Sequence, residues 1–473
     1  MKIEQIYTGC LAQGAYYIES EGEAAIVDPL REVAPYIKKA AESGAKIKYV
    51  LETHFHADFV SGHLDLAKKT GAKIVYGPTA NPAFDFYPAW DQEELPLGKI
   101  RIRVLHTPGH TMESTCYLVL DENGKPAALF SGDTLFINDV GRPDLAQKVN
   151  AALTQDKLAG LLYDSLREKI LPLPDDVIVY PGHGAGSACG KNMSTETSDR
   201  LGHQKKVNYA LQPELSRDEF IRQLNEGLVA PPGYFPLNVL MNINGYESID
   251  TVLYRGLTPL DPAAFEAAIH EYDALIIDVR SPETFAKQFI PGSVNIGLNG
   301  SFAPWVGTLI TDIKQYILLV TDKGNEEEAV TRLSRVGYDN VIGYLDGGIE
   351  SWSQSGRAMD QIENISATQL AEELAEDPSI PVIDVRKKSE YISEHLVNAI
   401  NAPLDFINDA MPLIDPQRRT YIHCAGGYRS MIFISILRAR GYKNLINVVG
   451  GFRSLKESRL FNLTEYVCPT TML

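Results

Sequence analysis

The stretch Thr53-His54-Phe55-His56-Ala57-Asp58-Phe59 decides how the first part of the chain is interpreted. It follows an apolar run, Ile47 to Leu51, that is typical of a buried strand. In an extended segment, side chains two residues apart point the same way, so His54, His56 and Asp58 are expected on one side. Two imidazoles and a carboxylate are costly to bury without partners. The stretch therefore predicts a metal or catalytic site where a strand ends.

Length and composition limit the classes of protein to consider. The 473 residues suggest three domains, with two and four as the alternatives, and 44% hydrophobic with 22% charged residues is ordinary for a globular protein. The net charge of -17 argues against nucleic acid and anionic membrane surfaces as partners, since both need a basic patch. The five scattered cysteines indicate a reducing compartment rather than a disulfide framework. Without a signal-peptide-like or membrane-spanning apolar run, we expect a cytoplasmic protein.

Further polar residues follow other predicted strands of the first 190 residues. Each apolar run passes into a turn that contains glycine, and then into a His or an Asp. With the opening stretch, this pattern yields six residues on four strand-end loops: His54, His56, Asp58, His110, Asp133 and His183. So many polar groups at loop edges favour a metal site. From about 184 to 255 the chain is polar and irregular, with two predicted helices, and is interpreted as an extension or linker.

This order of motifs resembles the metallo-β-lactamase superfamily over residues 1 to about 250. The resemblance implies an αββα sandwich with a metal at one sheet edge. Phe59 stands where dinuclear zinc hydrolases of the superfamily have a further histidine ligand, so a complete second metal site is not expected. The remaining set His54, His110 and Asp133 is the two-histidine, one-carboxylate triad of mononuclear non-haem Fe(II), which leaves positions open for O₂ and substrate.

Similarity to the persulfide dioxygenases of this superfamily implies roles for the individual residues. His54, His110 and Asp133 are implied as ligands of mononuclear Fe(II), although ligand type alone leaves zinc open. His56, Asp58 and His183 are implied as groups that orient those ligands, or as alternative metal ligands. Arg142, in Gly141-Arg142-Pro143-Asp144, is implied as the residue that binds a carboxylate or phosphate of the substrate.

An internal repeat of about a hundred residues follows. Ala274 to Arg280 matches Ile380 to Arg386, and Gly337-Tyr338-Asp339-Asn340-Val341 matches Gly441-Tyr442-Lys443-Asn444-Leu445. Both copies alternate strand and helix patterns, so each is expected to form a small α/β domain with a largely parallel sheet. The predicted domains are therefore residues 1–255, in which 184–255 is the extension, followed by 256–359 and 360–473.

The second repeat carries a cysteine at the end of a strand. In Tyr421-Ile422-His423-Cys424-Ala425-Gly426-Gly427-Tyr428-Arg429-Ser430 a loop with two glycines leads into a helix predicted to run from near Ser430 to Arg440. Backbone N–H groups and the helix N-terminus favour the thiolate of Cys424, which can then attack a sulfane sulfur. The segment resembles a rhodanese domain, whose loop here runs from Cys424 to Arg429. The resemblance implies that these two residues are catalytic.

The first repeat has no cysteine at the corresponding place. Its loop and following helix start contain Asp322, Glu326, Glu327 and Glu328, which would repel an anionic sulfur donor. It resembles an inactive rhodanese that serves as a spacer, docking surface or dimerisation module. Cys10, Cys116, Cys189 and Cys468 lack the setting of Cys424. The first three could lie near the metal site, and each of these three is interpreted as structural.

Three hypotheses about the whole chain follow. The first is a dioxygenase that oxidises a low-molecular-weight thiol persulfide with O₂ to sulfite, fused to a rhodanese that converts sulfite to thiosulfate in sulfide detoxification. The second is a glyoxalase-II-like thioester hydrolase with an accessory rhodanese and a metal-activated water. The third is a sulfur-relay scaffold with a structural metal. The residues do not define the oligomeric state, and a homo-oligomer is the expectation.

Overall fold

A computed structural model describes residues 1–145, 153–228 and 230–468 of the chain. The chain divides into two compact units. One unit contains Met1–Thr251 with Leu333–Tyr338, and the other contains Val252–Arg332 with the residues from Asp339 onward. The domain boundaries after residues 255 and 359 stay predictions.

Twelve labelled strands and seven α-helices lie between residues 2 and 256 in the part of the chain that the structure describes. The strands are β1 (Lys2–Thr8), β2 (Gln13–Ser20), β3 (Glu23–Val27), β4 (Lys46–Leu51), β5 (Lys73–Tyr76), β6 (Tyr87–Pro88), β7 (Glu94–Leu97), β8 (Ile100–His106), β9 (Thr115–Leu120), β10 (Pro126–Gly132), β11 (Ile178–Pro181) and β12 (Asp199–Arg200). The helices are α1 (Ala34–Ser43), α2 (His63–Thr70), α3 (Gln155–Ser165), α4 (Leu201–Val207), α5 (Arg217–Asn225), α6 (Phe235–Asn244) and α7 (Ile249–Gly256).

Two six-stranded sheets of the first unit form a sandwich. The first sheet has the order β1-β2-β3-β4-β5-β6, and the second has the order β12-β11-β10-β9-β8-β7. Alternate side chains of both sheets, among them Val27, Leu51, Val104 and Phe130, form one apolar core between them. Helices α1 and α2 cover the outer face of the first sheet, and α3 and α5 cover that of the second. The predicted αββα sandwich is confirmed.

The strand ends bring the polar loops together. β4 belongs to the first sheet, whereas β8, β10 and β11 belong to the second, and each of the four ends just before one of the predicted site loops. The loop after β4 therefore reaches the site from the first sheet, and the loops after β8, β10 and β11 reach it from the second sheet. The edge of the sandwich where these loops meet is the candidate metal site.

One helix of the segment from 184 to 255 contacts the loop that carries candidate metal-site residues. Helix α6, in a stretch that the sequence had indicated as loop and linker, places the buried Asn242 beside the loop after β4. The Asn242 side-chain amide donates to the carbonyls of His56 and Phe59 at 2.8 and 2.9 Å and accepts from the N–H of Ser61 at 2.9 Å. This helix therefore helps to hold the metal-site loop in place, and the interpretation of residues 184–255 as an extension or linker stays a prediction.

The remaining strands and helices form two copies of one fold in the second part of the chain. The strands are β13 (Pro259–Leu260), β14 (Leu275–Asp278), β15 (Val294–Asn295), β16 (Ile317–Val320), β17 (Val341–Leu345), β18 (Asn364–Ile365), β19 (Val382–Asp384), β20 (Ile400–Asn401), β21 (Thr420–His423) and β22 (Leu445–Val448). The helices are α8 (Pro262–Tyr272), α9 (Pro282–Lys287), α10 (Phe302–Leu309), α11 (Glu326–Arg335), α12 (Gly348–Gln354), α13 (Ala367–Glu376), α14 (Lys388–Ser393), α15 (Ile407–Ala410), α16 (Tyr428–Ala439) and α17 (Gly451–Ser458).

Both copies contain a five-stranded parallel sheet of the same topology. The orders are β13-β17-β16-β14-β15 and β18-β22-β21-β19-β20, which correspond strand by strand. Each sheet has its own apolar core, centred on residues such as Leu318 and Trp352 in the first copy and Tyr421 and Leu455 in the second. The predicted repeat of small α/β domains is confirmed.

The helices are short relative to a bilayer. Within the described residues, none of them combines the length and the apolar character that crossing a membrane requires. The cytoplasmic compartment and the homo-oligomer stay predictions.

Candidate functional site

His54, His110 and Asp133 form a buried cluster at the edge of the sandwich. One ligand atom from each of the three lies within 4.8 Å of the others. The Oδ2 atom of Asp133 is 3.9 Å from Nε2 of His54 and 3.4 Å from Nε2 of His110. Neither carboxylate oxygen of Asp133 has a hydrogen-bond partner among the described residues, although the side chain is buried. Such an unsatisfied buried anion beside two imidazoles fits a bound cation.

Hydrogen bonds orient the two imidazoles of this cluster. Nδ1 of His110 lies 2.8 Å from the carbonyl oxygen of Arg142, to which it donates when protonated there, and this leaves Nε2 for a metal. Nδ1 of His54 lies 3.0 Å from the hydroxyl of Thr53. Burial, reinforced by the neighbouring imidazoles, holds the pKa of His54 well below its usual range. His54 is therefore neutral, which is the form that binds a metal.

His56 does not join this cluster. Its Nε2 atom lies 3.1 Å from Oδ1 of Asp28 and 3.6 Å from Oε2 of Glu52, and these three residues form a group of their own. The loop after β4 bends at residues 53–54 and 57–59 instead of remaining extended. His54 and His56 do lie side by side, with ring centroids 4.2 Å apart, but the ligand atoms of His54, His56 and Asp58 fall into three different groups.

Asp58 and His183 meet the thiol of Cys189 in a third group. One ligand atom of each residue lies within 4.8 Å of the others, and all three side chains are buried. Nε2 of His183 is 3.5 Å from Oδ2 of Asp58 and 3.6 Å from Oδ1 of Asp133. Burial and the carboxylates of Asp58 and Asp133 raise the pKa of Cys189 well above its usual range. The sequence allowed two interpretations of Cys189, a structural cysteine or one near the metal site, and the structure supports the second.

Arg142 is engaged with a carboxylate of the protein itself. Its guanidinium donates to both oxygens of Asp144 at 2.6 Å and to the carbonyl of Ala188 at 3.3 Å. The N–H of Arg142 also donates to the carbonyl of Cys189 at 3.0 Å. These bonds tie the Arg142 loop to the Cys189 loop. A substrate anion would have to compete with Asp144, and the substrate-binding role of Arg142 stays a prediction.

A small cavity opens beside His110. Its volume is about 100 Å³, and it is lined mostly by apolar side chains, including Phe55, Met112, Val239 and Ile243. The carboxylate of Glu113 also borders it and accepts from the N–H of Phe55 at 3.1 Å. The cavity has space for a small substrate next to one of the predicted ligands.

Gly141 is the tightest point of the loop that follows Asp133. A Cβ atom there would lie 2.0 Å from the carbonyl oxygen of Asp133 and 2.9 Å from Nδ1 of His110. Gly141→Ala is therefore expected to displace both ligands, to destabilise the first unit by about 1–3 kcal/mol and to reduce the bound metal. Thermal unfolding and elemental analysis measure these two effects. Gly9→Ala is the matched control, because a Cβ at Gly9 meets no atom within 4 Å; equal losses in both variants would contradict the prediction.

Cys424 lies in the loop between β21 and α16, as predicted. Helix α16 begins at Tyr428 rather than near Ser430 and ends at Ala439, close to the predicted end. The N–H of Gly427 donates to the Cys424 sulfur at 3.1 Å, and the sulfur lies 3.7 Å from the hydroxyl of Ser430. Gly427 has a φ of 109°, a conformation that favours glycine. The loop thus places the Gly427 N–H and the N-terminus of the twelve-residue helix α16 next to the sulfur of Cys424.

Arg429 completes this loop and is held by Glu390. Its two terminal nitrogens donate to the Glu390 carboxylate at 2.5 and 2.9 Å. The buried pair Asp384 and Arg386, at the end of β19, is bidentate at 2.6 to 3.0 Å and fixes the neighbouring strand end. The position of the Arg429 side chain therefore depends on one carboxylate of helix α14.

Glu390→Gln is expected to lower sulfur transfer from Cys424 by roughly 10-fold, because a hydrogen bond between charged groups contributes about 1.5–3 kcal/mol. The measurement is the rate of thiosulfate formation from a persulfide and sulfite. Glu394→Gln serves as the control, since Glu394 pairs at 2.5 Å with the half-exposed Lys456 and not with the loop. A larger loss in the control than in Glu390→Gln would refute the role given to this contact.

The copy without a cysteine packs against the Cys424 loop and the helix that follows it. The hydroxyl of Tyr428 donates to the carbonyl of Gly297 at 2.7 Å, and the hydroxyl of Ser435 accepts from the N–H of Asn295 at 2.9 Å. Both contacts join helix α16 to the β15 region of the first copy, within the second compact unit. The first copy thus supports the helix that follows Cys424.

Sequence reasoning missed two residues of the metal region, Asp28 and Glu52. Asp28 directly follows β3 and Glu52 directly follows β4, so each sits at a strand end as the recognised ligands do. Attention to every polar residue within a few positions of a strand end would have found both Asp28 and Glu52.

Comparisons with known proteins agree with this architecture. Residues 8–183 match the metallo-beta-lactamase superfamily, and residues 261–355 and 366–458 match the rhodanese-like domain. A crystal structure of a metallo-beta-lactamase from Staphylococcus aureus subsp. aureus COL is similar with a TM-score of 0.63 and 32% identity. The similarity covers 72% of this chain and 98% of that one.

Two curated relatives have different activities. The chain is 34% identical over 176 residues to a probable hydroxyacylglutathione hydrolase of Schizosaccharomyces pombe, covering 36% of this chain and 62% of the relative. It is 30% identical over 163 residues to the mitochondrial persulfide dioxygenase of Homo sapiens, covering 34% of this chain and 59% of the relative. The chain therefore spans less than two thirds of the length of either relative.

Proposed function

We propose that this chain, which belongs to the metallo-β-lactamase superfamily and carries two rhodanese-like domains, processes persulfide sulfur in two steps. In the first, O₂ oxidises a low-molecular-weight thiol persulfide to sulfite at the cluster of His54, His110 and Asp133. In the second, Cys424 transfers a sulfane sulfur to sulfite, which yields thiosulfate.

The position of His56 is the observation that carries the proposal. Because His56 faces Asp28 and Glu52, the first cluster offers two imidazoles and one carboxylate rather than three imidazoles. This is the ligand set that leaves several positions open on non-haem Fe(II). When bound, Fe(II) would supply O₂ activation and a position for the substrate sulfur.

The first step balances with water as a further reactant. One persulfide, one O₂ and one water yield one thiol, one sulfite and two protons. The bond between the two sulfurs breaks, and the outer sulfur gives four electrons to O₂. The apolar cavity beside His110 would hold the carbon chain of the substrate next to the cluster, and the bond from His110 to the Arg142 carbonyl keeps that imidazole oriented.

The second step needs no oxidant. The Cys424 thiolate attacks the outer sulfur of a second persulfide, and the thiolate of the carrier leaves. Sulfite then attacks the outer sulfur on Cys424, so that thiosulfate forms and the thiolate is restored. The Gly427 N–H at 3.1 Å stabilises negative charge on the Cys424 sulfur before and after transfer. Because the first step supplies the acceptor of the second, fusion raises the effective concentration of sulfite.

Metal content and O₂ uptake on anaerobically prepared protein test the proposal. We expect iron in the protein and O₂ consumption with the persulfide of glutathione, of coenzyme A or of another small thiol. Iron-loaded protein that consumes no O₂ with any of these persulfides would refute it.

Thioester hydrolysis is the second candidate function. The hydroxyacylglutathione hydrolase of Schizosaccharomyces pombe is 34% identical to the first part of this chain, slightly more than the human persulfide dioxygenase. The same His and Asp residues could then activate a metal-bound water for attack on a thioester. Hydrolysis of S-acylglutathione by the zinc-loaded protein, without persulfide-dependent O₂ uptake, would establish this candidate instead.

A further inference from the structure

The carboxylate of Glu113 borders the cavity beside His110, and the protein itself uses only one of its two oxygens. Glu113 lies three residues after His110, and its Oε1 accepts from the N–H of Phe55, the residue that follows His54, at 3.1 Å. Among the described residues, this N–H is the one hydrogen-bond donor to the carboxylate, and no Lys, Arg or His side chain pairs with it. The second oxygen is therefore free between two loops that carry candidate metal ligands.

The surroundings of this carboxylate are mostly apolar. Side chains such as Phe55, Met112, Val239 and Ile243 form most of the remaining lining of the cavity. The volume of about 100 Å³ admits the few atoms next to a reacting sulfur, and it is well below the roughly 300–1,000 Å³ of pockets that enclose whole ligands. A ligand that fills the cavity displaces water from Glu113. Without a donor of its own, such a ligand leaves the carboxylate desolvated and unpaired, which is unfavourable.

Small thiols that carry sulfane sulfur share a donor at a fixed distance from the sulfur. In cysteine, glutathione and coenzyme A, two carbon atoms separate the sulfur from a nitrogen that carries hydrogen. This nitrogen belongs to an amine in cysteine, and to an amide in glutathione and coenzyme A. Either kind of N–H can donate to a carboxylate, and hydrogen bonds to a charged group are stronger than those between neutral groups.

We propose that Glu113 accepts a hydrogen bond from this N–H, and thereby selects thiol carriers in which a nitrogen lies two carbons from the sulfur. This role rests on the proposed function, since it takes a small thiol persulfide as the substrate of the metal site. With the substrate sulfur at the cluster of His54, His110 and Asp133, the two-carbon chain occupies the apolar cavity and the N–H faces the free oxygen of Glu113. An alkyl or ester group in the same place gives Glu113 no donor, so binding weakens.

The binding of two matched thiols tests this role without O₂ or sulfane sulfur. N-acetylcysteamine has an amide N–H two carbons from its sulfur, and 2-mercaptoethyl acetate has an ester oxygen in place of that N–H. Anaerobic isothermal titration calorimetry measures the Kd of each thiol for the iron-loaded full chain. We expect the amide to bind at least about 10-fold more tightly, because only the amide donates to the charged carboxylate. Equal Kd values, or no binding of either thiol, would overturn the proposal.

Glu113→Gln keeps the size of the side chain and an oxygen for the Phe55 N–H, but it places an amide donor in the cavity. The preference for N-acetylcysteamine is therefore expected to disappear or to reverse, a change that a purely structural role of Glu113 would not produce. Glu122→Gln, in the exposed turn after β9, is the matched control and is expected to keep the preference. A preference that persists in Glu113→Gln would refute the role. If Glu113→Gln does not fold, the Kd ratio in the unchanged protein decides.

Thiol selectivity and O₂ uptake can fail independently of each other. A protein that prefers N-acetylcysteamine but consumes no O₂ with any persulfide keeps the selective role of Glu113 and loses the dioxygenase function. A protein that consumes O₂ but binds both thiols equally keeps the dioxygenase function and loses the role of Glu113.

Discussion

Asp133→Ala is expected to remove most of the bound metal and to lower persulfide-dependent O₂ uptake. The loss of O₂ uptake should exceed the roughly 10- to 100-fold loss that is typical when a residue that only contacts the metal ligands is changed. The reason is the position of the carboxylate, whose two oxygens face His110 on one side and His183 on the other. Alanine removes the anion from both clusters and leaves buried imidazoles that face each other. Elemental analysis and an oxygen electrode measure the two effects.

Two comparisons separate this result from a general loss of folding. Asp176→Ala removes an exposed carboxylate of the same unit that pairs with Lys125 at 2.5 Å, and it is expected to change neither metal content nor O₂ uptake. In Asp133→Ala itself, sulfur transfer by Cys424 to added sulfite is expected to continue, because that loop belongs to the second compact unit. Full metal content and normal O₂ uptake in Asp133→Ala would refute the assigned ligand role.

Cys424→Ser is expected to reduce thiosulfate formation by roughly 10³-fold or more, as losses of a catalytic nucleophile do. A serine hydroxyl stays protonated near neutral pH and does not attack sulfane sulfur, even with the Gly427 N–H in place. O₂ uptake is expected to remain, so sulfite should accumulate in place of thiosulfate. Ion chromatography of the products, alongside the oxygen electrode, distinguishes the two activities.

The control for this variant is Cys468→Ser, which changes an exposed cysteine. It is expected to form thiosulfate at the rate of the unchanged protein. If Cys424→Ser still forms thiosulfate at that rate, Cys424 is not the sulfur carrier. If O₂ uptake falls together with thiosulfate formation, the two steps are not the separable reactions proposed above.

Local patterns in the sequence predicted the strands that precede the candidate site loops and the polar residues at their ends. The strands before His54, His110, Asp133 and His183 are short apolar runs that end in turns, and such signals need only neighbouring residues. The same holds for the Cys424 loop between β21 and α16. The match of the two repeats likewise predicted two sheets of one topology, which the structure confirms.

Predictions from local sequence patterns were wrong where segments that are distant in sequence are in contact. The extended reading of the stretch from Thr53 to Phe59 was wrong because Asn242, 186 residues from His56 in sequence, helps to hold a bent loop. Helix α6, which carries Asn242, lies in a stretch that composition had indicated as linker. Glu52 and Asp28 were missed because their importance depends on contact with His56, and their own sequence surroundings carry no motif.

Residues close together in sequence were enough to predict polar side chains at several strand ends, and a loop cysteine in one repeat but not in the other. Which of those polar side chains contact one another depends on how the two sheets pack. The loop after β4 comes from one sheet and the other loops come from the second sheet, so packing of the two sheets sets which side chains face each other. That packing turns His56 toward Asp28 and brings Cys189 to Asp58, because partners of buried charges are chosen by distance in space.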